Sequence, residues 1–274
     1  MWLLLFFGQL YEYFLAKSKQ HMTVLIGTSG DTGSAAISAV RGLSWVDVVV
    51  LLPTGRCTTI QELQMTTVLE DNVHCFAVDG SSDDLDIPIK AVFAEPEYVA
   101  ENNLCSINSI NWARILVQIA HYFYCYTQLG GEEGEPLTII IPTGACGNIA
   151  SGFVAAAMGL PVRLVAAVTA NDIVHRTLSQ GDFSLSAAVT QTWATAMDIQ
   201  VPYNVERLLL VAAGLDTARV AAVMQQFEQG GATVPADLLA AVRAVVVDSV
   251  RVGDKEVVES MARCHRENQV PSAR

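Results

Sequence analysis

Residues 23–40 read TVLIGTSGDTGSAAISAV, which is a short β-branched run, a glycine-rich turn and a stretch with helical apolar spacing. Where such a turn enters a helix, free backbone N–H groups and the positive end of the helix dipole can bind an anion, and glycine lets the backbone approach it closely. The pattern therefore predicts an anion site at residues 27–33. An ordinary βα turn, with Asp31 or Thr32 capping the helix, is the alternative interpretation.

Strand-like and helix-like segments alternate along most of the chain. Apolar runs at 46–52 and 73–78 are separated by stretches with helical spacing, and the same order returns from 137 to 169 around a second glycine-rich turn, PTGACGN at 142–148. This alternation predicts an α/β fold of parallel strands joined by right-handed helical crossovers. Ligands of open α/β sheets bind beyond the carboxyl ends of the strands, so both turns can face one crevice.

We expect the chain to divide near residue 105. The predicted parts are an N-terminal apolar helix at 1–21, a small α/β domain at 22–105 and a large, incomplete α/β domain at 106–274. Helical spacing is expected at 217–227 and again at 235–247, and the tail beyond residue 254 shows no closing strand.

Composition excludes several classes of partner. The chain has 274 residues, of which 51% are hydrophobic and only 16% charged, so its helices and strands must be covered on several sides. A formal net charge of −12 leaves no basic stripe for DNA or RNA. The six cysteines contain no C-x-x-C pair and the five histidines have no metal-ligand spacing, which predicts a reducing compartment and no metal site.

The first seven residues, MWLLLFF, resemble the hydrophobic part of a signal peptide. They have no preceding positive charge and no clear small-residue cleavage site, and the apolar run is too short to span a membrane. We therefore expect a cytoplasmic protein without a membrane span. Secretion is the alternative.

Two polar segments supply further candidate ligands. In NSINWAR at 108–114, a helix starting near Ser109 would place Asn111 and Arg114 on one face, offering an amide and a guanidinium to a carboxylate or phosphate. The alternative is that Ser109 caps the helix and Arg114 is a solvated surface cation. The segment NDIVHR at 171–176 follows the next strand and can line the same crevice.

As an ordered set, six motifs resemble the threonine synthase family: TSGDTGSAA at 28–36, LLPTG at 51–55, NSINWARILVQ at 108–118, PTGACGN at 142–148, NDIVHR at 171–176 and AMDIQVPYN at 196–204. The resemblance implies the fold-type-II architecture of pyridoxal-phosphate enzymes, similar to the tryptophan synthase β subunit, with two parallel-sheet α/β layers truncated at both ends. It also implies pyridoxal 5′-phosphate as cofactor and a phosphorylated amino acid as substrate.

The resemblance assigns residues to both ligands. The cofactor phosphate would be held by Thr143, Gly144, Ala145, Cys146, Gly147 and Asn148. The substrate would be held by Ser29, Gly30, Asp31, Thr32, Ser109, Asn111, Arg114, Asn171 and Asp172. The family's cofactor loop usually reads S-G-N-F-G, and here Ala145 and Cys146 replace its middle pair, so binding would rely on backbone N–H groups.

One family feature has no counterpart in this sequence. The family's Schiff-base lysine lies in a Phe-Lys-Asp motif just before the helix that here begins near Leu10, and the four lysines, Lys17, Lys19, Lys90 and Lys255, lack that context. The expectation is therefore a fragment or splice form of a phospho-lyase acting on phosphothreonine or phosphohomoserine, with no catalytic lysine and little turnover. The alternative is a non-catalytic interaction or signalling protein on the same scaffold, for which secretion is an option.

Overall fold

The computed structural model describes residues 2–129 and 134–268, and it confirms the predicted α/β class with parallel sheets. Residue 1, residues 130–133 and residues 269–274 lie outside the described part, and with them part of the apolar start and the end of the tail. In chain order the helices and strands are α1 (Trp2–Ser18), β1 (Met22–Gly27), α2 (Asp31–Val40), β2 (Val46–Pro53), α3 (Thr59–Thr66), β3 (Val73–Val78), α4 (Ser82–Phe93), α5 (Pro96–Glu101), β4 (Leu104–Cys105), α6 (Trp112–Leu129), β5 (Leu137–Pro142), α7 (Gly147–Ala157), β6 (Val162–Val168), α8 (Ile173–Gln180), β7 (Asp182–Ser184), a 3-10 turn (Thr195–Met197), α9 (Val205–Ala212), α10 (Thr217–Glu228), β8 (Gly231–Thr233), α11 (Ala236–Arg243), β9 (Val246–Arg251) and α12 (Asp254–Asn268).

The first sheet has the strand order β3-β2-β1-β4, and every pair in it is parallel. Alternate residues of β1 and β2, among them Val24, Ile26 and Val48, are fully buried, as expected for strands that a helical layer covers. Helix α1 packs against α2, and its side chains Leu4 and Phe7 belong to the same core.

The second sheet has the order β5-β6-β9 and is also parallel. Its core contains Ile149, Leu164 and Phe183, whose ring stacks on that of Phe227 at 4.1 Å. Strands β7 and β8 form a separate antiparallel pair.

The prediction of helical structure at 235–247 is wrong for the last residues of that range. Helix α11 ends at Arg243, and Val246 begins strand β9, which lies beside β6. The apolar residues of this stretch fit a helical period, but β-branched valines also favour a strand, and the partner strand decides between them.

The two sheets have separate hydrophobic cores. One cluster of buried residues runs from 4 to 107 and the other from 115 to 246. A division into domains near residue 105 stays a prediction. No helix in the described part of the chain has the length and apolar character needed to cross a membrane.

Candidate functional site

Both glycine-rich turns line one cavity of about 300 Å³. The first turn follows Gly27, the last residue of β1, and the second follows Pro142, the last residue of β5. The cavity therefore lies beyond the carboxyl ends of two parallel strands that belong to different sheets. From the two turns it is lined by Gly27, Thr28, Ser29, Asp31, Thr32, Pro142, Thr143, Gly144, Ala145, Cys146, Gly147 and Asn148.

The first turn is held together by a buried threonine. The Oγ1 atom of Thr28 accepts hydrogen bonds from the backbone N–H groups of Gly30 and Gly33, at 3.0 and 2.9 Å. The N-cap position of α2 is Gly30, so neither Asp31 nor Thr32 caps the helix, and the side chain of Thr28 accepts from the N–H of Gly33 in its first turn. Gly30 has φ +139° and does not line the cavity, and a Cβ atom there would lie 2.5 Å from the side chain of Gln61.

The second turn leads into α7 without a side-chain cap. Its N-cap residue, Cys146, has a left-handed backbone with φ +63° and a buried thiol, whose pKa burial raises to about 12. The first N–H groups of a helix have no intrahelical partner, so this end of α7 can donate hydrogen bonds to an anion.

The two glycines of the second turn are closely packed against the segment before α9. A Cβ atom on Gly144 would lie 3.3 Å from the Cα of Met197, and one on Gly147 would lie 3.3 Å from the Nδ2 of Asn204. That Nδ2 donates to the backbone oxygen of Ala145 at 2.9 Å. The segment before α9 therefore supports the turn from behind and fixes its backbone.

Arg114 is the cation that lines the cavity, among the residues the structure describes. Its Nη1 donates to the backbone oxygen of Ile107 at 3.1 Å, but its Nε is fully buried without a hydrogen-bond partner. No carboxylate in residues 2–129 or 134–268 forms an ion pair with it, and burial lowers its pKa to about 10. A buried, unpaired cation favours an anionic ligand. The alternative of a solvated Arg114 is therefore wrong.

Asn111 was expected to face the crevice, but its side chain caps a helix instead. Its Nδ2 donates to the oxygen of Ser106 at 2.7 Å, and its Oδ1 accepts from the N–H of Ala113 at 2.9 Å, so it caps the start of α6. It does not line the cavity, whereas Ser109 does. Helix α6 begins at Trp112, later than Ser109, which turns Asn111 toward the helix end instead of the crevice.

Asn171 and Asp172 also lie outside the cavity lining. The amide of Asn171 donates to the oxygen of Thr190 at 2.8 Å and to Asp198 Oδ1 at 2.9 Å, and it is buried. Asp172 pairs with Arg176 at 3.1 Å and with Arg251 at 3.2 Å. Both residues therefore hold protein segments together.

The remaining lining residues were not singled out from the sequence. They come from α4, from the segment before α6, from α6 itself and from the segment before α9, and they are Ser82, Asp83, Asp86, Asn108, Gln118, Ala196, Met197, Ile199 and Tyr203. Four of them lie in the motif AMDIQVPYN, which carried the resemblance without an assigned role.

Two acids of α4 are partly buried in the cavity wall. Asp83 Oδ2 accepts a hydrogen bond from the backbone N–H of Gln200 at 3.0 Å, and burial raises its pKa. Burial also raises the pKa of Asp86 to about 6, with Asp83 adding to the rise and Lys90 opposing it.

None of the four lysines lines the main cavity. Lys17 donates to the hydroxyl of Tyr13 at 2.6 Å on α1, and Lys255 pairs with Glu259 on α12. Lys90 lies 5.2 Å from the ring centre of Tyr203 and lines a second, neighbouring cavity of about 250 Å³.

Comparison with known proteins gives one consistent result. Residues 7–272 match the model of the family described as pyridoxal-phosphate dependent enzyme. The chain is 53% identical to threonine synthase-like 2 of Pongo abelii over 267 residues, which cover 96% of this chain and 55% of the relative. It is 42% identical to threonine synthase of Eremothecium gossypii, over 97% of this chain and 56% of that protein. The chain thus spans about half the length of the curated relatives it matches.

Comparison with solved structures gives the same family as the sequence comparisons. Pyridoxal-phosphate-bound threonine synthase from Brucella melitensis superposes with a TM-score of 0.85 at 35% identity, covering 98% of this chain and 57% of that one. Maize serine racemase, at 18% identity and a TM-score of 0.55, shares the fold alone. The architecture is that of the fold-type-II pyridoxal-phosphate enzymes, as the sequence resemblance implied.

Proposed function

The chain belongs to the pyridoxal-phosphate dependent enzyme family, whose cofactor is pyridoxal 5′-phosphate, and from this we propose that its main cavity binds that cofactor beside an O-phosphorylated amino acid. Phosphothreonine and phosphohomoserine are the substrates we propose, and elimination of phosphate is the reaction. One observation carries the proposal: two helix N-termini and the unpaired Arg114 line the same cavity.

The second turn fits the phosphate of the cofactor. Gly144 and Gly147 are closely packed from behind, so a side chain at either position would have to displace its neighbours, and the first turn of α7 has no side-chain cap. The residues that would hold the phosphate are Thr143, Gly144, Ala145, Cys146, Gly147 and Asn148, mainly through backbone N–H groups. Neither Ala145 nor Cys146 offers a strong side-chain donor in place of the polar residue usual in the family.

Elsewhere in the cavity lining, Ser29 and Thr32 offer hydroxyls, and Arg114 offers a guanidinium. These groups would bind the phosphate and carboxylate of the substrate, because charged donors prefer anionic oxygens. When bound, the cofactor supplies an electron sink for removing a proton next to the amine. The residues of this chain orient the leaving phosphate and stabilise its charge.

We propose that turnover by this chain is slow. A lysine would both anchor the cofactor covalently and move the proton, and none of the four lysines lines the main cavity. Losing one member of such a catalytic unit costs several powers of ten in rate.

Direct binding measurements test the proposal. Purified chain is titrated with pyridoxal 5′-phosphate and, as the matched control, with pyridoxal, which lacks the phosphate. We expect binding that requires the phosphate and is competed by inorganic phosphate. Equal binding of the two compounds would contradict the assignment of residues 143–148.

Phosphate release measures the reaction. Chain saturated with the cofactor is incubated with phosphothreonine or phosphohomoserine, and free phosphate is followed over hours. We expect slow release that requires both cofactor and chain. Turnover at the rate of a lysine-containing relative measured beside it would contradict the proposed lack of a working lysine.

We also propose a cytoplasmic location. Leu4 and Phe7 are buried in the first core, so the apolar start is part of the fold and its removal as a signal peptide would expose that core. All six cysteines are free, which fits a reducing compartment. Fractionation of cells that make the chain tests this, and recovery of a product cleaved near Gly8 from the medium would contradict it.

A further inference from the structure

Asp86 stands in the wall between two cavities. It lines the main cavity and the second cavity of about 250 Å³, together with Asn108, Ser109 and Tyr203. Its helix, α4, packs against β1, and Asp86 Oδ1 would lie 3.8 Å from a Cβ atom on Gly27, at the first glycine-rich turn. The carboxyl group is therefore close to the groups proposed to bind substrate.

Asp86 differs from the other two carboxylates of the main cavity. Asp31 accepts a hydrogen bond from Gln61 Nε2 at 2.7 Å, and Asp83 accepts one from the N–H of Gln200. Asp86 receives none from residues 2–129 or 134–268, and it forms no ion pair there, although Lys90 is one turn away on the same helix.

A partly buried carboxylate without a donor is costly, and proteins seldom keep one unless a ligand or water supplies the hydrogen bond. With a pKa of about 6, Asp86 is mostly ionised at neutral pH. The charged groups around it are Asp83 and Lys90 on its own helix, with Asp31 and Arg114 on other walls of the main cavity. Its oxygens are not fully buried, so water or a ligand in the cavity can supply the donor, and the negative charge favours a cationic ligand group.

We propose that Asp86 binds the ammonium group of the amino-acid substrate and so selects amino acids over 2-hydroxy acids of the same shape. The inference rests on the proposed function, because it requires a phosphorylated amino acid in the main cavity. The anionic ends of such a ligand meet Arg114 and the helix N-termini, while its cationic end meets Asp86. Charge complementarity at both ends fixes the orientation of the substrate.

The test compares two ligands that differ in one group. The chain is saturated with pyridoxine 5′-phosphate, which has no aldehyde and cannot react with amines. O-phospho-L-threonine and its 2-hydroxy analogue of the same configuration are then titrated by calorimetry. We expect wild type to prefer the amino acid by roughly tenfold to hundredfold, the strength of one charge-assisted hydrogen bond.

The substitution Asp86→Asn should reduce this preference to about the level of a neutral hydrogen bond, a few-fold at most. Asn has the shape of Asp and removes a buried charge, so the variant should fold. Asp83→Asn is the matched control, because it removes the same charge from the same helix while the oxygen of Asp83 is already occupied by Gln200. We expect it to keep most of the preference.

A second measurement needs no variant. As the pH falls through about 6, Asp86 takes up a proton, and the preference of wild type should decline. The phosphate of the ligand titrates in the same range, but it is common to both ligands and cancels in the ratio of affinities.

The possible results distinguish a failure of this inference from a failure of the proposed function. An Asp86→Asn variant with undiminished preference would overturn the role of Asp86 and leave the proposed function intact. An equal loss in Asp83→Asn would show a general effect of negative charge and would also overturn it. A wild-type chain that binds neither ligand would overturn the proposed function together with this inference.

Discussion

The hydroxyl of Tyr122 lies 2.8 Å from the backbone oxygen of Asn148 and 2.7 Å from its Oδ1, so these two acceptors share its single proton. Tyr122 lies on α6, and Asn148 is the second residue of α7, at the proposed phosphate site. The contact links the helix that carries Arg114 to the helix whose N-terminus faces the cavity. It therefore positions the two anion-binding groups relative to each other.

Replacing Tyr122 by Phe should weaken cofactor binding. The ring stays while the hydroxyl is lost, so Asn148 is no longer held, and we expect an affinity for pyridoxal 5′-phosphate lower by about fivefold, equivalent to about 1 kcal/mol. Tyr124→Phe is the control, because Tyr124 is exposed on the same helix. Equal losses in the two variants, measured by calorimetry, would contradict a positioning role.

Replacing Arg114 by Gln should separate ligand binding from stability. We expect the affinity for inorganic phosphate to fall by about tenfold or more, because a charge-assisted contact is lost. The free energy of unfolding should not fall, since the guanidinium has no counter-ion and an unpartnered Nε. Arg163→Gln removes the same charge from an exposed strand position and should leave phosphate binding unchanged.

The charge of Asp86 should make stability depend on pH. Its pKa is raised by burial to about 6, so the native state binds the proton more tightly than the unfolded chain. The free energy of unfolding contributed by this group is therefore greatest at low pH and falls as the pH rises through about 4 to 6. Above about pH 6 the free energy of unfolding that this group contributes does not fall further.

The variant Asp86→Asn has no ionisable carboxyl group at this position, so it does not lose the stability that wild type loses when Asp86 ionises. At pH 8 we expect it to be more stable than wild type by about 2 kcal/mol, and at pH 4 to show little difference. Urea titrations at the two pH values measure this. Asp71→Asn, at an exposed position, is the control and should give a much smaller pH-dependent difference. A stabilisation of the same size at pH 4 would contradict the assignment.

Asn171 should be needed for folding more than for ligand binding. Its side-chain amide bonds the oxygen of Thr190 and Asp198, and its oxygen accepts from the N–H of Thr190 at 2.9 Å and from Gln200 at 3.2 Å. The change Asn171→Ala removes all four of these hydrogen bonds, although Asp198 keeps those that it accepts from Thr192, so we expect a loss of about 3 kcal/mol in the free energy of unfolding.

The folded fraction of Asn171→Ala should bind phosphate with an affinity within about twofold of wild type, since Asn171 does not line the cavity. Asn102→Ala, at an exposed helix end, should cost less than about 0.5 kcal/mol. A stable Asn171→Ala variant with much weaker ligand binding would instead support the role first expected from the sequence.

Local patterns predicted much of the fold. The strands β1, β2 and β5 were found from short β-branched runs, because these occupy fully covered positions in parallel sheets. The two glycine-rich turns were found because the order of strand, glycine and helix is itself a local signal. Strand β9 was missed, since only its pairing with β6 distinguishes it from the end of α11.

The cavity was harder to predict where its residues depend on distant contacts. The acids of α4 were not singled out from the sequence, because nothing local shows that Asp86 is partly buried in a cavity wall. Asn171 was expected to face the ligand because it follows β6, but residues from 190 to 200 fold over it and take its hydrogen bonds. Such contacts become visible only when both segments are in place.

The two sheets differ in how far apart their partners lie along the chain, and this affects the order in which they can form. The four described strands of the sheet around β1 have all been synthesised by residue 105, whereas β6 obtains its second neighbour only when Val246–Arg251 arrive, after the intervening residues 169–245. Pairing over so long a loop is slow. A growing polypeptide on the ribosome would therefore hold a folded first half while one edge of β6 stays open, which is the stage at which chaperones would be needed most.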